Sequence, residues 1–216
     1  MTKINKTKKK KDEESPEEAP EEITKMAMEM LGIAPDEPAL RSMMLYGDLD
    51  EEKALEIIVG LMLLADKPKP NAFDEQGNLL PMNLYISTYG GNADDMFAIY
   101  DMMNLTKEKC DIVTIGLGKV MSAGTLVLAA GTKGMRKITK HCRVMIHSVA
   151  AGSYGNLHNL KNEIETIKEQ QDKYVNALVE NTNMTKRQVQ RLLDRKVNVY
   201  LSAEEAVEYG IADEVI

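Results

Sequence analysis

Three stretches of the chain combine residue types that support nucleophilic chemistry. The first is Gly116-Leu-Gly-Lys-Val-Met-Ser122-Ala-Gly124, a loop between a strand-like run and an apolar helix-like run. A serine on such a turn exposes its hydroxyl, and the start of the helix favours negative charge beside it. The small Ala123 and Gly124 leave room for a substrate main chain. The same serine also suits a plain N-cap, so the local pattern leaves two roles open. The second stretch ends in His147, at the close of Arg143-Val-Met-Ile-His. Strand ends along one edge of an α/β sheet are where sites assemble. A packed or capping histidine is the competing reading. The third is Tyr89-Gly90-Gly91-Asn92, a strand-to-helix turn whose N–H groups suit an oxyanion or an extended peptide. It is not a dinucleotide fingerprint, because G-x-G-x-x-G is absent. His141 and His158 are scattered away from His147 with no metal-ligand spacing, so neither a metal nor a cofactor is expected.

The elements that must position these residues alternate along the chain. Strand patterns run over Met43–Tyr46, Asn83–Thr88, Asp111–Leu117, Arg143–His147, Val197–Leu201 and Val215–Ile216. Helical spacing over Glu51–Leu64 follows Asp50 as N-cap, and further helices are expected over Asn92–Met103, Ala123–Ala130 and Leu157–Glu180. Thr185-Lys-Arg-Gln188 and Ser202-Ala-Glu-Glu205 read as capping boxes that open two shorter helices. Lys67–Pro81, with three prolines and Gly77, reads as a long loop. Such alternation argues for an α/β domain with crossover connections. The long helix carries an apolar stripe of Leu157, Leu160, Ile164, Ile167, Tyr174 and Leu178. At about 24 residues it is roughly 36 Å long, more than one small domain covers, so part of the stripe is expected to pack on a neighbour.

Composition narrows the function further. The 216 residues carry 27 Lys and Arg against 34 Asp and Glu, a net charge of −7 that disfavours a nucleic-acid partner. Apolar runs such as Ile57–Leu64 are too short to span a bilayer, so no membrane partner is expected. Cys110 and Cys142 read as two reduced, buried thiols of a cytoplasmic protein. Six lysines over Lys3–Lys11 precede seven acids over Asp12–Glu22, with Pro16 and Pro20 among them. That composition cannot offset the entropy of ordering. Residues 1–39 are therefore expected to be a charged arm, disordered or ordered by a partner, with the compact domain over 40–216.

Taken in order, these motifs resemble the ClpP family, the proteolytic subunit of the Clp protease. The chain reads Ser87-Thr-Tyr-Gly-Gly91, then Gly118-Lys-Val-Met-Ser122-Ala-Gly124, Lys133-Gly-Met-Arg136 and Met145-Ile-His147. The Ser122-to-His147 step is similar to the family's spacing. So are Gly152-Ser-Tyr-Gly155 and Leu201-Ser-Ala-Glu-Glu-Ala-Val-Glu-Tyr-Gly-Ile-Ala-Asp213. The resemblance spans about Met43 to Ile216. It implies a ClpP/crotonase-like spiral of strand-strand-helix units with a protruding handle helix.

By position, the resemblance implies a serine endopeptidase that cleaves unfolded polypeptides inside a chamber. Ser122 stands as nucleophile and His147 as base. Gly91 and Ala123 stand as the oxyanion hole, and Gly90, Gly91, Asn92 and Ala93 at the substrate-binding edge. The implied assembly is homo-oligomeric: heptameric rings stacked as a tetradecamer, with a second ClpP-type subunit as a variant, served by an AAA+ Clp unfoldase. The third catalytic position, Asp in the family, is Asn198 here. An Asp-to-Asn change at that place in another serine protease costs about 10⁴ in turnover. A weakly active or inactive subunit that assembles with an active partner is therefore the alternative. Tyr89 replaces the usual proline, Val120-Met121 replaces Ala-Ala and is expected to reshape the pocket, and Pro68–Met82 reads as an insertion. An acyl-CoA enzyme of the crotonase type shares the fold, but the Ser/His order argues against it.

Overall fold

The computed structural model describes residues 40–152, 154–195 and 197–216. The expectations for the charged arm over residues 1–39 lie outside the described residues.

The strands are β1 (Ser42–Leu49), β2 (Met82–Gly91), β3 (Ile112–Met121), β4 (Arg136–Ile138), β5 (Arg143–Ile146), β6 (Val199–Leu201) and β7 (Glu214–Val215). The helices are α1 (Glu51–Asp66), α2 (Ala93–Lys107), α3 (Ala123–Ala129), α4 (Leu157–Asn181), α5 (Lys186–Leu193) and α6 (Ala203–Glu208). The strands form one mixed sheet. A parallel path runs β1-β2-β3-β4-β7, β5 joins β3 in parallel, and β6 joins β5 antiparallel. This is a mixed α/β architecture consistent with the ClpP/crotonase fold.

The caps read at Asp50, Thr185 and Ser202 start their helices, and Asn92, expected inside its helix, is the cap of that helix instead. Asp50 accepts from Lys53 N–H at the start of α1, and Asn92 accepts from Asp94 and Asp95 N–H at the start of α2. Reciprocal capping boxes are formed at Thr185/Gln188 and Ser202/Glu205. In the Lys67–Pro81 loop, a short 3₁₀ turn over Pro70–Ala72 is followed by an antiparallel bridge between Phe73 and Leu79. Asp74 closes the turn of that bridge by accepting from Gln76 and Asn78 N–H.

Three strands extend beyond their expected ends, β1 running through Gly47 to Leu49. β2 continues through Gly90-Gly91 because β1 stays beside it, Leu49 pairing with Gly91. β3 runs on to Met121 because it changes partner on the way. Thr114–Gly116 pair with β4, and Lys119–Met121 pair with β5. Gly118 lies at that fork with φ +63°, a conformation that costs glycine little. The three-residue β4 was not expected, being too short to show alternation.

The core is aliphatic and rich in Met. Leu45, Ile57, Leu84, Ile86, Ile99, Met103, Leu126 and Leu128 are fully buried. Each such side chain contributes roughly 1.5–3 kcal/mol. All of α3 is buried, so the residue just before it is set on a rigid base. Arg136 is buried and donates from its Nε to Asp213 Oδ2 at 2.8 Å, and from its other guanidinium nitrogens to Asp213 Oδ1 and to the carbonyls of Ala129 and Asn181. It thereby ties the ends of α3 and α4 to the chain just before β7. Cys110 and Cys142 are both free and buried. No helix among the described residues is long and apolar enough to cross a membrane.

Candidate active site

Ser122 sits between β3 and α3 with φ +55° and ψ −120°. A non-glycine residue there costs of order 1–3 kcal/mol and persists only when its surroundings hold it. Those surroundings are specific. Ser122 N–H donates to Met145 O at 2.8 Å, and Thr125 N–H and the Tyr174 hydroxyl donate to Ser122 O at 2.9 and 3.3 Å. Thr125 Oγ1 also donates to Met145 O at 3.0 Å, fastening α3 to β5. Ser122 holds the N-cap position, yet its hydroxyl makes no cap bond. It meets His147 Nε2 at 2.7 Å instead. Of the two roles open in the sequence, the hydroxyl therefore turns to the imidazole rather than to the helix.

His147 follows β5 directly, so the β3/β5 pairing that places Met121 beside Met145 also brings it across the turn to Ser122. In the tautomer with its proton on Nδ1, its Nε2 accepts from the Ser122 hydroxyl. Nδ1 has no hydrogen-bond partner among the described residues. The antiparallel register pairs Ile146 with Val199. The ladder ends there, with His147 and Asn198 as the next residue on each chain. Asn198 is exposed, and its side chain makes no hydrogen bond among the described residues. Asp194, the nearest upstream carboxylate, is the exposed C-cap of α5.

A cavity of about 340 Å³ opens beside this pair. Gly91, Asn92 and Ala93 line it together with Ala123, Tyr174 and the segment from Val149 to Ala151. Gly90 is not on its surface. It lies behind Ser122, where a Cβ would come within 2.6 Å of the Ser122 Cβ. Val120 and Met121 do not line the cavity either, contrary to expectation. Val120 points into the core. Tyr89 is exposed and does not line the cavity, and the Lys119 ammonium stands 4.4 Å from its ring and 5.4 Å from that of Tyr46.

Sequence reasoning missed Tyr174 and Gln171 as site residues. Tyr174 was read only as part of an apolar stripe, yet its buried hydroxyl reaches the Ser122 carbonyl, and burial raises its pKa well above the usual phenol value. Gln171 accepts from Val149 N–H at 2.7 Å. A glutamine in the polar middle of a long helix gives no sign of this in sequence.

The family model for Clp protease matches residues 38–216. The ATP-dependent Clp protease proteolytic subunit of Oltmannsiellopsis viridis is 35% identical over 175 residues, covering 81% of this chain and 83% of that protein. The strained serine, its imidazole neighbour and the Gly-Gly edge thus lie within a region matched over its whole length, and the chain belongs to the Clp protease family.

Proposed function

We propose that this protein is a serine endopeptidase subunit, with Ser122 as nucleophile and His147 as its base. The observation that carries this reading is the 2.7 Å contact between Ser122 Oγ and His147 Nε2 on a backbone turn held in strain. Oγ attacks the peptide carbonyl as Nε2 takes its proton, and Nε2 then delivers that proton to the leaving amine. Water repeats the exchange on the acyl-serine. The N–H groups of Gly91 and Ala123, both on the cavity wall, receive the oxyanion. The Gly91–Ala93 edge offers main-chain hydrogen bonds to an extended substrate, so selection by sequence is broad.

The assembly belongs to the same proposal. Leu157 and Ile164, on the first half of α4, are more than half exposed, whereas Tyr174 and Leu178 further along are buried. That uncovered half fits packing on further subunits, in stacked rings supplied by an ATP-driven unfoldase. Cleavage of an unfolded polypeptide by size-separated oligomers, abolished in Ser122→Ala, tests the reading. Turnover equal in the two proteins removes it.

A second reading is favoured by one observation: among the described residues His147 Nδ1 has no partner, and Asn198, just before β6, is exposed. Without an acceptor there, the imidazolium that forms during attack lacks a counter-charge. The subunit is then weakly active and contributes chiefly to an assembly with an active partner.

A further inference from the structure

Helix α4 carries two adjacent glutamines, Gln170 and Gln171, which reach in different directions. Gln170 Nε2 donates to Asp94 Oδ1 at 2.8 Å, at the start of α2. Gln171 Oε1 accepts from Val149 N–H at 2.7 Å, two residues after His147. The first bond braces the cavity at Asp94, the second at Val149.

The second bond stands alone. Between His147 and the α4 N-cap Asn156, the described residues make no other hydrogen bond to the rest of the protein. β5 has ended at Ile146, so no sheet pairing extends past it. His147 itself is only partly buried, with no partner on Nδ1 among the described residues. A side chain with one anchored nitrogen and no carboxylate behind it needs its main chain held if Nε2 is to stay on Ser122.

We infer that Gln171 is a positioning residue: by holding Val149 N–H it fixes the segment that carries His147, taking over part of the orienting task that Asn198 leaves undone. The inference rests on the proposed peptidase reading for its catalytic consequence, but the restraint itself is independent of any reaction. Gln171 is half-buried on a helix anchored further along by Tyr174, Val175 and Leu178. Its acceptor is therefore offered from a fixed platform, and losing that acceptor leaves the helix intact.

Two variants separate the acceptor from the side-chain stem. Gln171→Met keeps the length and helix preference but has no strong acceptor, whereas Gln171→Glu keeps one. Amide hydrogen exchange over residues 148–152 is compared in all three assembled proteins, together with the rate of labelling by a fluorophosphonate. The expected result is faster exchange in Gln171→Met by about five-fold, a similar fall in labelling rate, and return of both to near the wild-type values in Gln171→Glu. Unchanged exchange in Gln171→Met overturns the inference. Faster exchange with undiminished labelling overturns its claim on His147. A wild-type protein that takes no label removes the peptidase reading instead, and the exchange comparison alone then decides whether Gln171 holds the segment.

Discussion

Gly90, near the end of β2, and Ser122, just after the neighbouring β3, touch so closely that a side chain on the glycine would collide with the serine. A Cβ at Gly90 would lie 2.6 Å from Ser122 Cβ, 2.7 Å from Met121 O and 3.0 Å from Ala123 N. Two of those neighbours are main chain, so the turn itself must move. Gly90→Ala is expected to lower fluorophosphonate labelling by about 100-fold, because displacement of a reacting group by about 1 Å costs that much. Near-native circular dichroism alongside the loss would show that the effect is local. Labelling within two-fold of wild type would show that the turn tolerates the shift.

Asn198 directly precedes Val199, whose partner Ile146 directly precedes His147, and among the described residues its side chain makes no hydrogen bond. A carboxylate there would accept from Nδ1–H and offset the positive imidazolium. Asn198→Asp should raise kcat for a short peptide by at least about ten-fold with little change in KM, since the gain appears only as charge develops. Equal kcat in the two proteins would show that orientation of His147 is already complete.

The Arg136–Asp213 pair should dominate the acid sensitivity of the fold. Burial raises the Asp213 pKa, but hydrogen bonds from the Arg136 side chain and main chain, its positive charge and Gly134 N–H outweigh this, leaving it below its ordinary 3.8. A carboxyl with a depressed folded pKa contributes stability that is present above the unfolded value and is lost as pH falls through the folded one. Asp213→Ala is expected to cost about 3 kcal/mol in urea unfolding near neutral pH, because Arg136 stays buried without its partner. The difference from wild type should hold down to about pH 5 and shrink below about pH 4. A constant difference to lower pH would mean that the carboxylate charge is not what matters.

Both cysteines should be silent in the folded protein. Burial pushes the Cys142 thiol up to about 12, and burial likewise raises Cys110 against the lowering effect of Arg41. Iodoacetamide at about pH 8 is expected to modify neither in the native state and both after unfolding, since the thiolate is the reactive form. Rapid native modification of Cys142 would contradict its burial.

What the sequence revealed and what it hid follow from range. Ser122, His147 and the Gly-Gly turn were each ambiguous alone, a serine before an apolar helix, a histidine closing an apolar strand and paired glycines at a turn, and only their order along the chain and the family resemblance singled them out. The capping boxes at Thr185 and Ser202 were legible on their own, because the pattern is local. Long-range effects were not. The extension of β2 through Gly91 depends on β1 lying alongside, and the fork of β3 depends on two later strands. Tyr174 and Gln171 reach the site only because α4 folds back across it, some fifty residues from Ser122 for the first and 22 residues from Val149 for the second. Val120 looked like a pocket residue by its nearness to Ser122 in sequence, but strand alternation sends it to the core.

Covalent capture of Ser122 tests the central claim most directly. A fluorophosphonate incubated with the purified protein and followed by peptide mass spectrometry should place a single adduct on Ser122, with none in Ser122→Ala and a strongly reduced yield in His147→Ala. An adduct elsewhere, or no adduct on Ser122 in the folded protein, would contradict the assignment of this serine as a nucleophile.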